Sequence, residues 1–165
     1  IVGAGGSIGS WSVQLARHYG AQVTGVDKPG KLEMLRTLGA DEVIDYTRED
    51  FTRNGQKYDV ILDTISGSRF SRSLKSLNEN GAYLNARPGL FDAFRMLWAK
   101  EQSSKRIIRW SAGYSEKNLQ ALKGLIEAGH ISPVIDRCYP MEEVVEAHRY
   151  VDSGQKKGHV VMTIG

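Results

Sequence analysis

The chain opens on Ile1-Val2, the tail of an apolar strand, and runs at once into Gly3-Ala4-Gly5-Gly6-Ser7-Ile8-Gly9. Ser10 to Tyr19 then reads as a helix. After Gly20 comes a second apolar run, Val23-Thr24-Gly25-Val26, which stops on Asp27. Strand, glycine turn, helix, strand, acid is the order of a βαβ unit that binds a dinucleotide. Each part has one job on one ligand. Glycines let the backbone approach a pyrophosphate, the helix N-terminus turns free N–H groups toward it, and the end of the second strand meets the adenine ribose.

The glycine spacing fixes the register. Gly3 and Gly5 would need a third glycine at position 8, where Ile8 stands. The register that works is Ala4-Gly5-Gly6-Ser7-Ile8-Gly9, an AxGxxG variant. A tight strand-to-helix turn with no ligand has the same local pattern. A methyltransferase-type nucleotide site is a second rival, though its glycine turn usually has a different spacing. The flanking periodicity and the acid at Asp27 favour the dinucleotide reading.

At 165 residues the chain is long enough for one domain with a full core. A net charge of +3, spread along the sequence, gives no argument for nucleic acid but suits a polyanionic cofactor. No apolar run approaches the roughly 20 residues that span a bilayer, and no signal-peptide pattern is visible. These features point to cytosol, or to an organelle stroma if a targeting peptide was removed. One cysteine, Cys138, excludes an internal disulfide and any multi-cysteine zinc site. The first strand has two apolar residues where a usable strand needs about five, so the chain is expected to be a piece of a longer protein.

Downstream, apolar runs alternate with helical patterns, the signature of a parallel α/β sheet. A first helix over Ile8–Tyr19 would turn Ile8, Trp11, Leu15 and Tyr19 inward. Pro29 opens a second helix, with Leu32, Leu35 and Leu38 inside and Gly39 as its cap. Val43-Ile44 forms a short strand ending near Asp45-Tyr46. Tyr58-Asp59-Val60-Ile61-Leu62-Asp63 reads as a buried strand that Ser66-Gly67 breaks. Phe70, Leu74 and Leu77 mark the inner face of the next helix, and Ala82–Ala86 the next strand. Leu90–Lys100 reads as helical, with Phe91, Phe94 and Trp98 clustered as a core or interface stripe. Arg106-Ile107-Ile108-Arg109-Trp110 closes the set, its two arginines facing solvent. Beyond it, Leu119, Leu122, Leu125 and Ile126 define a helix ending at Gly129, Pro133-Val134-Ile135 begins an extended segment, and Met141, Val144, Val145 and Val151 mark a helix that Gly154 ends. His159–Ile164 is a final strand. The expected fold is a Rossmann-type doubly wound parallel sheet of order 3-2-1-4-5-6, residues 1–132, with an appended strand–helix–strand in residues 133–165.

These motifs together resemble a family. Ala4–Gly9, Val13-Gln14-Leu15-Ala16, Leu38-Gly39-Ala40-Asp41-Glu42-Val43-Ile44-Asp45-Tyr46, Tyr58–Asp63, Gly129–Asp136, Glu146-Ala147-His148-Arg149-Tyr150 and Lys157-Gly158-His159-Val160-Val161 run in the order found in the cofactor-binding half of a medium-chain dehydrogenase/reductase of the zinc-independent quinone oxidoreductase branch. The resemblance is nearly end to end. It implies a domain that binds NAD(P)H, beside an N-terminal barrel-like domain that supplies most of the substrate pocket and has no counterpart in these residues. It implies that Gly5, Gly6, Ser7, Ile8 and Gly9 hold the pyrophosphate. Lys31 falls where NADPH-using relatives place a lysine for the 2′-phosphate, and Tyr46 where they place a tyrosine against the adenosine phosphate. Asp63, Thr64 and Ile65 fall on the nicotinamide side, and Ala86 and Arg87 in the same crevice. It further implies that residues 133–165 return to the absent domain, and that two copies pair along Arg106–Trp110, an apolar edge otherwise left exposed.

Asp27 departs from the NADPH-using pattern, since a carboxylate there repels a 2′-phosphate. Lys28 and Lys31 oppose it by pairing with that phosphate, and the balance falls to NADPH over NADH. His18, His130, His148 and His159 show no ligand spacing and read as solvated or capping histidines. Cys138 has no His–acid pattern around it and reads as a small buried or half-buried residue. No residue is identified as a catalytic acid or base, and none as a metal ligand. The function implied is the NAD(P)H-binding part of an oxidoreductase that moves hydride to or from a quinone, enone or alcohol. A non-catalytic NADPH-binding redox sensor and the cofactor domain of a zinc-dependent alcohol dehydrogenase are the alternatives.

Overall fold

The computed structural model of the chain describes residues 1–65, 70–86, 105–109 and 115–165. The Leu90–Lys100 segment, Ser66-Gly67, Arg87 and Trp110 lie outside the described residues.

One parallel sheet carries the N-terminal part. Its strands are β1 (Thr24–Asp27), β2 (Glu42–Asp45), β3 (Tyr58–Asp63), β4 (Leu77–Asn85) and β5 (Arg106–Arg109). β1 pairs β2, β3 pairs β4 and β4 pairs β5, all in parallel. Val2 joins the two groups, bridging Val26 on one side and Asp63 on the other. Across the sheet the order is therefore β2, β1, Val2, β3, β4, β5. The chain leaves Val2 toward one edge and later returns to build the other, so the strand ends beside Val2 form a crevice where ligands of such sheets bind.

Helix α1 (Ser7–His18) follows the glycine turn, and a 3-10 turn, Pro29–Lys31, leads into α2 (Leu32–Thr37). Proline at the start is tolerated because its missing N–H would be unsatisfied there anyway. Gly39, at φ +97°, ends the second helical segment. Leu35 is fully buried, packing with Ala4, Val13, Val23 and Ala40, while Leu32 and Leu38 flank that cluster. A second cluster, on Val26, Ile44, Phe51, Ile61, Phe70, Leu77 and Tyr83, fills the other part of the sheet. Each such side chain removed from water contributes roughly 1.5–3 kcal/mol.

Several expectations are corrected. The inner face of α1 is Gly9, Ser10, Val13 and Gln14; Ile8 and Tyr19 are exposed. A small-residue stripe lets the helix axis approach the sheet closely, which the bulky stripe would prevent. A Cβ at Gly9 would stand 2.3 Å from the Gly3 carbonyl oxygen and 2.5 Å from Ala4 Cα. β3 is not buried throughout: Val60 is 57% exposed, because it lies upstream of the Val2–Asp63 bridge beside an open groove. Leu77 belongs to β4 rather than to α3 (Phe70–Lys75), and it packs in the core from there.

The C-terminal part holds α4 (Glu116–Glu127), then β6 (Ile135–Pro140), a 3-10 turn at Met141–Glu143, α5 (Val144–Asp152) and β7 (His159–Thr163). β6 and β7 pair in parallel as a separate sheet. This unit folds back on α1. The Gln14 amide donates to Ser132 O at 3.0 Å and accepts from Ser132 N at 2.9 Å. Trp11 Nε1 donates to His159 Nε2 at 3.1 Å. Two strands and one helix cannot cover both sheet faces, so Ile135 and Val145 remain exposed. Cys138 is exposed for the same reason, contrary to the half-buried expectation. Among the described residues no helix is long and apolar enough to cross a membrane.

Candidate functional site

A cleft of about 430 Å³ opens at the C-terminal ends of Val2, β1 and β3. Its walls include Gly6, Ser7, Ile8, Asp27, Lys28, Lys31, Tyr46, Thr64 and Ile65. Nine of the residues singled out from sequence thus meet around one space. A second cleft of about 440 Å³ lies at the opposite ends of the strands, around Thr24, Tyr58 and Val60. It has neither the glycine turn nor the start of α1 among its walls, so the residues predicted from sequence gather at the first.

The floor of the cleft is the glycine turn. Gly3 takes φ +74°, and a Cβ there would stand 2.4 Å from Thr64 Oγ1 and 2.8 Å from Ile65 Cγ1. Only glycine lets the loop after β3 lie this close. Thr64 locks the approach by donating from Oγ1 to Val2 O at 2.9 Å and from its N–H to the same oxygen at 3.1 Å. Gly6 is the N-cap of α1, extended at φ −86° and ψ −177°, with no side-chain cap. The first helical hydrogen bond runs from Ser10 N to Gly6 O. No acid stands in the first turn, so the positive end of the α1 dipole is not neutralised from within the helix. A Cβ on Gly6 would meet only Gly3 O, at 3.5 Å. The space above Gly6 is open to a ligand.

At the far wall, Asp27 is 5% exposed and turned into the turn. Its Oδ2 accepts from Gly5 N at 2.8 Å and its Oδ1 from Lys28 N at 2.8 Å. Lys31 Nζ stands 3.7 Å from Oδ1. Lys31 is itself buried, with its stem over Gly5, where a Cβ would be 2.6 Å from Lys31 Cδ. The lysine that sequence alone left open as a solvated residue is therefore part of a closed Asp27–Gly5–Lys31 unit. Lys28 reaches the other way, its Nζ 3.6 Å from the Cβ position of Gly154. Tyr46 lines the cleft and packs against the larger core cluster.

Asp63 lies beneath the cleft rather than in its wall. It is 4% exposed, its Oδ1 accepts from Ile65 N at 2.9 Å and its Oδ2 from Tyr83 O–H at 2.8 Å. It therefore holds the β3 loop in place. Gly5 and Gly9 are buried under the turn in the same way. Ala86 is half-buried and donates its N–H to Asp63 O at 2.9 Å; Arg87 lies outside the described residues.

Sequence reading missed the wall supplied by the C-terminal unit. Val151, Gly154 and Lys156 line the cleft. Gly158 N donates to Gly5 O at 2.9 Å, and Ser7 Oγ donates to Gly158 O at 2.9 Å. Lys156 Nζ donates to Ser7 Oγ at 2.7 Å and to Gly158 O at 2.8 Å. The only sequence signal was the Lys156-Lys157-Gly158 run itself.

The histidines are placed otherwise than at the cleft. His18 and His130 stack with ring centroids 4.5 Å apart, a spatial pair that sequence spacing could not show. Among the described residues no three of His, Cys, Asp or Glu gather as a metal centre.

Comparison with known proteins agrees with this architecture. The profile of the zinc-binding dehydrogenase family matches residues 38–162. The mitochondrial NAD(P)H oxidoreductase of Mus musculus is 33% identical over 190 residues, covering 99% of this chain and 47% of its own length. The chloroplastic NADPH-dependent alkenal/one oxidoreductase of Arabidopsis thaliana is 34% identical, covering 97% of this chain and 38% of its own. The structure of the quinone oxidoreductase from Coxiella burnetii superposes with a TM-score of 0.89 at 24% identity, over 99% of this chain and 51% of that one. The chain thus spans half or less of the length of these curated relatives.

Proposed function

We propose that this chain, which belongs to the zinc-binding dehydrogenase family of the medium-chain dehydrogenase/reductase superfamily, is the NAD(P)H-binding part of an oxidoreductase that transfers hydride to or from a quinone, an enone or an alcohol. The observation that carries the reading is the open space over Gly6 at the unneutralised N-terminus of α1, with Asp27, Lys28, Lys31 and Tyr46 across from it. Gly6, Ser7 and Ile8 would take the pyrophosphate, with Gly5 and Gly9 shaping the turn beneath them. Thr64 and Ile65 would flank the nicotinamide, on a loop that Asp63 anchors. The nicotinamide supplies the hydride chemistry when bound; the protein orients it and excludes water. Residues 1–132 form the nucleotide-binding unit in this reading, and residues 133–165 the segment that also meets a further domain.

The cofactor preference proposed is NADPH over NADH. Asp27 spends its carboxylate on Gly5, Lys28 and Lys31, which weakens its repulsion of a 2′-phosphate, while Lys28 and Lys31 supply charge for it. A charge-assisted contact is worth roughly 1.5–3 kcal/mol, so Lys31→Ala should weaken NADPH about tenfold or more and leave NADH nearly unchanged. Tighter binding of NADH than of NADPH by the wild type would overturn the preference. The site itself is tested by Gly6→Val, whose Cβ would meet only Gly3 O, at 3.5 Å. It should lose NAD(P)H binding in titration calorimetry while melting as the wild type does; undiminished affinity would refute the placement. A homodimer along β5 is also proposed, because among the described residues β5 is paired on one side only and Ile108 is exposed. Ile108→Lys should abolish the dimer in sedimentation, and a wild type that stays monomeric at micromolar concentration would contradict it.

A further inference from the structure

We propose that His18 and His130 form a two-histidine chelate for a divalent transition-metal ion, where the ends of α1 and α4 meet. Neither residue lines the cleft, and the inference does not depend on what the cleft holds.

His18 is the last residue of α1, and His130 follows Gly129 just beyond the end of α4. Both side chains are exposed, so burial does not drive them together. Their ring centroids nevertheless stand 4.5 Å apart, with the planes tilted by 43°. That spacing is the one a shared metal ion requires. A metal–imidazole bond is about 2.0–2.1 Å and a ring nitrogen lies roughly 1 Å from its ring centre, so two imidazoles in neighbouring positions on one ion sit roughly 4.5–5 Å apart, centre to centre. An exposed imidazole turns about χ2 in a broad well, which lets each ring direct one nitrogen into the space between them. Imidazole suits Zn²⁺, Ni²⁺ and Cu²⁺ rather than Mg²⁺ or Ca²⁺, and Cu²⁺ is held most tightly of the divalent series.

The backbone holds the pair in place by the same device twice. After α1, Gly20 takes φ +79° and Ala21 N donates to Ala16 O at 2.9 Å. After α4, Gly129 takes φ +72° and His130 N donates to Leu125 O at 3.0 Å. Both are left-handed glycine closures of a helix C-terminus. Two negative helix ends therefore converge on the imidazoles, and each favours a cation. The last turn of α4 carries no basic residue. Arg17, beside His18, is turned away to Asp41, with Nη1 3.2 Å from Oδ1. Tyr19 rests edge-on against the His18 ring, centroids 5.1 Å apart. With two protein ligands, water fills the remaining positions, so the ion is exchangeable. Bound, it ties the end of α1 to the end of α4 and braces the helix whose first turn opens on the cleft.

Titration of the untagged chain with Cu²⁺, by calorimetry and by electron paramagnetic resonance, tests the site. A single tight ion per chain is expected, with two imidazole nitrogens in its spectrum. His18→Ala and His130→Ala should each remove one arm of the chelate, weaken Cu²⁺ by about tenfold or more and reduce the spectrum to one nitrogen. His148→Ala, an exposed histidine on α5, should change neither reading. Undiminished affinity in either folded variant overturns the proposal. A wild type that binds no stoichiometric ion, or shows one nitrogen only, overturns it as well. If a variant does not fold, metal-catalysed oxidation of the wild type by Cu²⁺ and ascorbate replaces it. His18 and His130 should then be the histidines oxidised first, read by peptide mass spectrometry, and oxidation that spares either of them overturns the chelate.

Discussion

Two glycine-to-alanine substitutions, both inside helices, should move stability in opposite directions. An alanine in a helix interior is favoured over glycine by roughly 1 kcal/mol. Gly124, in α4, meets nothing within 4 Å of its added Cβ and is exposed. Gly124→Ala should therefore stabilise the chain by about that amount. At Gly9 the same Cβ would lie 2.3 Å from Gly3 O, 2.5 Å from Ala4 Cα and 2.5 Å from Ala4 O. All three are backbone atoms of the turn and none can rotate away. Restoring ordinary contact needs about 1 Å of separation between α1 and the turn, and overpacking of that kind costs roughly 1–3 kcal/mol. After the helix gain, a net loss of up to about 2 kcal/mol remains, or several degrees of melting temperature for a chain of this size. Differential scanning calorimetry on both variants reads the two signs directly. Gly9→Ala melting at or above the wild type would refute the claim that α1 is held against the turn at glycine distance.

Other expectations follow from single contacts. Gln14→Ala removes both bonds that tie α1 to Ser132, and should cost roughly 1–3 kcal/mol, with faster hydrogen exchange at Ser132 N–H; exchange as slow as wild type would contradict it. Gly158→Ala combines a positive φ with a Cβ 2.4 Å from Val134 O, so it should loosen β6–β7 and, with them, dinucleotide binding; native affinity and native protection of β7 would argue against the clamp. Burial pushes the Asp136 carboxyl upward, but the Tyr150 hydroxyl, the Lys157 N–H and the charges of Arg137 and Lys157 outweigh it and hold the group below its ordinary 3.8. A carboxyl depressed in the folded state contributes stability that is present above pH 3.8 and is lost as the pH falls through the folded value. Asp136→Asn should therefore lower stability slightly at neutral pH and remove part of the acid sensitivity of β6 and α5, read by pH-dependent melting; an unchanged acid limb would refute it.

The sheet and the cleft floor were legible because their signals are local. The Ala4–Gly9 turn, the periodicity of α1 and the acid closing β1 all lie within the first 27 residues. Lys31 was readable as a candidate, but its burial was not, since that depends on the Asp27 carboxylate turning inward to Gly5 N. The inner face of α1 was misread because bulk was taken as the sign of burial, whereas here close approach selects Gly9 and Ser10. Val60 looked interior from composition alone; its exposure depends on which strand stands beside it. Lys156 left only the Lys156-Lys157-Gly158 run as a local trace, and that run does not point to its partner Ser7, which is 149 positions away.

The contact between Gly158 and Gly5 also bears on how the chain is made. Within this stretch a ribosome delivers the glycine turn, α1 and β1 ahead of the remainder, and they can pair early through short-range contacts. The wall supplied by the C-terminal unit, by contrast, arrives 149 positions after Ser7, and loops of that length close late and slowly. Until residues 156–158 emerge, a nascent chain holds a nucleotide crevice with one side missing. A premature stop codon between β5 and Lys156 should then yield a product whose sheet can form but whose grip on a dinucleotide is reduced, a protein that competes poorly for cofactor.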